Sequence, residues 1–95
     1  MINIIENRLR KLIVSNGEDI NINDINESTD LVRDFNYDSL NIIQLIVDIE
    51  NMFSIEINDE DLLLERLSHY KNLLEILEIK LDKKYKKIYS TDKSI

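Results

Sequence analysis

The sequence predicts an all-α protein: a four-helix bundle with a long first loop and a short third helix. Three observations carry that prediction. Apolar residues recur at spacings of three and four through the long segments. Proline is absent and Gly17 is the only glycine, so the residues that tight hairpins need are nearly missing. Asn16-Gly17 is the one hairpin-like pair, and the segment before it has helical spacing. No convincing strand and no internal repeat is present.

The first helix is expected over residues 2–15, where Ile2, Ile5, Leu9, Leu12 and Ile13 share a face and Asn16-Gly17 forms a stop. Residues 17–37 then make a long connection rich in Asn and Asp. Its Ile20, Ile22, Ile25, Leu31, Val32 and Phe35 suggest that it packs across the bundle, since a loop this long rarely stays structureless. Asp38 caps a second helix over residues 39–53. Asn58-Asp59-Glu60-Asp61 opens the short third helix, its acids suiting the helix dipole. Ser68 is the candidate cap of a fourth, with Tyr70, Leu73, Leu74, Leu77 and Leu81 on one face. Residues 1–82 form the predicted domain, and 83–95 a basic tail that either extends the last helix or is disordered.

The charge is unevenly spread. Residues 1–79 hold six Lys and Arg against seventeen Asp and Glu, while residues 80–95 hold six against two. An acidic body argues against nucleic acid, which needs a basic face, and suits partners with basic patches. Cysteine is absent, which excludes disulfides, thiolate nucleophiles and thiolate metal sites. Charges interrupt the opening "MINIIENRLRKL", which does not read as a signal peptide, and no apolar run is long enough for a bilayer. A cytoplasmic monomer without membrane contact is therefore expected.

The second helix carries two apolar stripes. At about 100° per residue, Ile42, Leu45, Ile46, Ile49 and Phe53 fall in one narrow sector. Leu40, Ile43 and Val47 form another, roughly 130° round, with Ser39 beside it. Either the helix is buried on most of its surface, or the second stripe is exposed and docks a partner. Ser39 at the helix start is poorly placed as a hydrolytic nucleophile. The only histidine is His69, better read as a surface or capping residue, and no glycine is left to build a nucleophile elbow. The N-terminus of a helix does favour a phosphate group. The run from Asp19 to Asp30 falls short of a calcium loop, with Asp24 where a glycine and Asp30 where a glutamate are needed. No metal site is expected.

Asp38-Ser39-Leu40 resembles the Asp-Ser-Leu signature of acyl and peptidyl carrier proteins. "STDLVRDFNYDSL" is similar to that family's approach to its serine. "NIIQLIVDIENMFSIEINDEDL" resembles its second helix and acidic exit, and the likeness covers residues 2–82. It implies a bundle of acyl-carrier-protein type. It also implies a stand-alone carrier, not an enzyme, holding acyl or aminoacyl thioesters on 4′-phosphopantetheine attached to Ser39, with Asp38 as the motif neighbour. The implied partners are a phosphopantetheinyl transferase, an acyl- or aminoacyl-loading ligase and downstream acyl-using enzymes. Leu40, Ile43 and Val47 match the apolar recognition positions, and Asn41, Gln44, Glu50 and Asn51 match positions where partners read charge. Two departures stand out. Asn36 replaces the usual glycine two residues before the aspartate. Asn41, Gln44 and Asn51 are uncharged, which favours a specialised biosynthetic pathway. The alternative is an unmodified helical adaptor of the same fold.

Overall fold

The computed structural model describes residues 2–58 and 62–93. Five α-helices occur among them: α1 (Ile2–Ser15), α2 (Leu31–Phe35), α3 (Ser39–Phe53), α4 (Leu64–Leu67) and α5 (Tyr70–Lys93). A single 3-10 turn, Ile22–Asp24, lies in the first connection. No strand occurs among the described residues, where extended pairing is limited to one isolated bridge between Asp30 and His69. The fold is the all-α bundle that the apolar spacing predicts. None of the described helices is long and apolar enough to cross a membrane.

The core forms where one stripe of each long helix meets the others. Leu9 and Ile13 of α1, Ile42, Leu45, Ile46, Ile49 and Phe53 of α3, and Tyr70, Leu73, Ile76 and Leu77 of α5 are all buried. The first connection contributes Ile25, Leu31 and Tyr37, with Ile20, Ile22 and Phe35 partly buried against the core, whereas Val32 is exposed and does not pack as expected.

That connection is more ordered than its composition suggests. Asp30 caps α2, its carboxylate accepting the N–H groups of Val32 and Arg33. Extended pairing ties it to the start of α5: Leu31 N–H donates to the Ser68 carbonyl at 2.7 Å, and Tyr70 N–H to the Thr29 carbonyl at 3.1 Å. Arg10 of α1 reaches the Tyr70 hydroxyl at 3.2 Å, joining α1 to α5.

Two expected boundaries shift. The short helix begins at Leu64, while Asn58 is coil and residues 59–61 lie outside the described residues. Just before Asn58, the N–H of Ile57 bonds to the Glu50 carboxylate at 3.0 Å. Ser68 ends α4 and does not cap α5, because its hydroxyl turns back to the Glu65 carbonyl. His69 precedes α5 instead, exposed, with its carbonyl accepting Leu73 N–H.

Candidate functional site

Ser39 stands at the first position of α3, exposed to solvent. A short path of chain holds it there. The α2 helix ends at Asn36, whose backbone is left-handed at φ 56°, ψ 30°. Asn adopts this region more readily than other non-glycine residues, which is how the chain turns here without glycine. The next residue, Tyr37, is buried, and its hydroxyl donates to the carbonyl of Ile13 in the last turn of α1. That anchor fixes the step before the Asp38-Ser39 pair.

Gly17 belongs to the same anchor. A Cβ there would lie 2.1 Å from Ile20 Cδ1 and 3.0 Å from the Tyr37 ring. The backbone of Gly17 is not left-handed, so glycine is favoured here by this close approach, which a larger residue would relieve only by shifting Ile20 and the Tyr37 ring.

Asp38 and Asn41 close a capping box: Asn41 N–H donates to Asp38 Oδ1 at 2.8 Å, and Asp38 N–H to Asn41 Oδ1 at 2.9 Å. Asn41 also uses its second amide function. Its Nδ2 donates to the Asn16 carbonyl at 2.9 Å, tying the start of α3 to the end of α1. Asn16 in turn donates to Asp48 at 2.9 Å, and Gln44 donates to the other oxygen of Asp48 at 2.9 Å. The polar edge of α3 thus faces the end of α1.

The wheel left open whether the second stripe is exposed. Leu40 is 73% exposed, Ile43 59% and Val47 41%, while every residue of the first stripe is buried. Across from the second stripe lies another apolar run that sequence reasoning did not single out, Leu62, Leu63 and Leu64, also exposed. Between them runs a groove of about 380 Å³, bordered by Ser39 at one end and Glu50 at the other. Its walls are Ile42, Ile43, Ile46 and Val47 of α3 with Leu62, Leu64 and Leu67 opposite. The signal for this wall was a run of three consecutive leucines.

The positions at which the resemblance implies that partners read charge differ in surroundings. Gln44 and Asn51 are exposed. Asn41 is half-buried in its cap, and the Glu50 carboxylate, also half-buried, accepts the N–H of Ile57 at 3.0 Å. Among the described residues, no three His, Cys, Asp or Glu side chains gather as a metal site.

As a chemical device, this is an exposed hydroxyl on the first turn of a 15-residue helix. The N–H groups of the first turn and the helix dipole favour negative charge there. The adjoining groove is apolar. The geometry suits a hydroxyl that bears an anionic ester and a flexible substituent.

The family model for the phosphopantetheine attachment site matches residues 8–77. The chain is similar to the acyl carrier protein of Buchnera aphidicola subsp. Baizongia pistaciae, 38% identical over 74 residues, covering 78% of this chain and 91% of that one. It is 30% identical to the acyl carrier protein of Thermotoga maritima over 71 residues, covering 75% and 85% of the two chains. With the acyl carrier protein of Helicobacter hepaticus it shares 29% identity over 68 residues, covering 72% and 87%.

Proposed function

Because this chain belongs to the family of carrier proteins with a phosphopantetheine attachment site, we propose that Ser39 is the residue that bears the prosthetic group and that α3 is the face partners read. The family's carriers are not enzymes, and the group they bear is 4′-phosphopantetheine. When bound, it supplies a thiol that holds an acyl cargo as a thioester.

The observation that carries the reading is the exposed Ser39 hydroxyl at the capped start of α3, with an apolar groove opening beside it. The residues fit the group. The hydroxyl is reachable from solvent, and the first turn of the helix favours the phosphodiester. Asp38 holds the helix start in shape, its carboxylate directed at Asn41 N–H. Leu40, Ile43 and Val47 offer partner enzymes an apolar contact beside the serine. The groove gives an apolar cargo a place out of water.

Gln44 and Asn51 are uncharged and exposed, which supports partners that do not depend on gripping carboxylates there. This favours a specialised carrier with its own loading ligase, for an amino acid or an unusual acyl unit, working in the cytoplasm. Asn41 does not add to that argument, because its amide has a structural task.

Intact mass after co-expression with a phosphopantetheinyl transferase tests the reading. One added phosphopantetheine is expected, and none on Ser39→Ala. A chain left unmodified by every transferase tried, or modified equally without Ser39, would overturn it and favour the unmodified adaptor. Incubating the modified protein with candidate ligases and weighing the product identifies the cargo.

A further inference from the structure

The α5 helix runs on past Leu81 into the basic segment, and one of its lysines crosses to the recognition helix. Lys84 Nζ donates to the carbonyls of Phe53 and Ser54, each at 3.3 Å. They belong to the last residue of α3 and to its C-cap, and lie at the negative end of the helix dipole. A lysine thirty residues away in sequence therefore caps the C-terminal end of α3.

The turn it holds is otherwise demanding. Ser54 is left-handed at φ 54°, a conformation that a non-glycine residue adopts at some cost. Ser54 N–H and Ile55 N–H both bond to the Glu50 carbonyl, and Ile57 N–H bonds to the Glu50 carboxylate. This turn begins the chain that leads toward Leu62 and Leu64, the wall facing α3 across the groove.

We propose that Lys84 is a positioning residue: it makes the C-terminal extension a stay for the recognition helix, holding the turn after Phe53 so that α3 and the leucine wall present one fixed face to partner enzymes. The part about partners rests on the carrier reading above. Lys84 touches neither Ser39 nor the groove, since Ser39 lies 15 residues before Ser54, roughly 22 Å along the helix axis. Loosening the turn leaves the hydroxyl unchanged. It lowers the fraction of molecules whose docking face is formed, and apparent affinity falls by that fraction.

The test compares the full chain with Lys84→Gln and Lys84→Arg in two measurements. The first is amide exchange at Ile55 and Ile57. Lys84→Gln is expected to speed it about 3–10-fold, the scale of one lost solvent-exposed hydrogen bond, and by more than at Leu9 and Ile13 in α1. Lys84→Arg should restore it. The second is transfer of phosphopantetheine from coenzyme A to Ser39 by a transferase. Lys84→Gln should raise KM with kcat unchanged, by the factor by which the formed fraction of the turn falls. Unaltered exchange at Ile55 and Ile57, or no recovery with arginine, refutes the stay. Faster exchange with unchanged KM refutes the positioning role. If no variant is modified at all, the carrier reading has failed, and the exchange measurement still decides whether Lys84 holds the turn.

Discussion

Replacing Tyr37 with phenylalanine removes one oxygen and nothing else from the packing. The ring is buried, and its hydroxyl donates to the Ile13 carbonyl at the end of α1. Gly17 N–H, the helical partner that carbonyl would need, bonds to Val14 instead. Tyr37→Phe therefore strands a buried acceptor, which costs about 1–3 kcal/mol. Taking about 1.5 kcal/mol, a domain of this size should melt roughly 6–12 °C lower. The variant should also respond differently to alkali. Burial raises the pKa of the Tyr37 phenol above its ordinary value of 10.0, so the fold favours the neutral form. That contribution is complete below about pH 10 and is lost as pH rises from there through the folded value. Tyr70 is raised too, by burial, with Arg10 opposing, so part of the alkaline loss persists in the variant. Urea titrations at about pH 8, 10 and 11 should show a flatter decline for Tyr37→Phe, by up to about 1.4 kcal/mol per pH unit. A melting point within about 2 °C of wild type, or an unchanged alkaline decline, would mean the hydroxyl is not the tie described here.

Ser39→Ala should stay within about 0.5 kcal/mol of wild type in thermal melts followed by circular dichroism, because its side chain is exposed. Ile46→Ala, at a position only 6% exposed, should cost about 2–5 kcal/mol in the same melts. Asn41→Asp keeps the acceptor for Asp38 N–H but loses the donor to Asn16 and sets a carboxylate against a carbonyl. A loss of about 1–2 kcal/mol is expected in urea unfolding, with Asn41→Ser between it and wild type.

Long amphipathic helices were readable because their period is imposed by burial. The bounds expected for α1 and α3 match the structure, and the first stripe of α3 is buried throughout. The period could not say whether a second apolar stripe is covered. That depends on which segment lies opposite, and here Leu62 and Leu64 stand across an open groove. The start of α4 is a second case: a cluster of acids suits a helix N-terminus, yet among the described residues the helix begins only at Leu64. The α2 helix was legible in principle, since Asp30 precedes it with the spacing of a cap, yet its five residues are too few to show a period. Asn36, which the sequence marked only as standing where the resembling family has a glycine, is left-handed in the structure. The Lys84 contact depends on the length and direction of α5 and leaves no local trace in the sequence.

The junction at Asn16 bears on any attempt to build chimeras. That residue's carbonyl and side chain receive Asn41 and Asp48 from the same helix, like a socket cut for one plug. An α3 helix borrowed from a more acidic carrier would bring a different surface but the wrong fitting. Retargeting this scaffold thus calls for exchanging the close of its opening helix together with the transplanted segment.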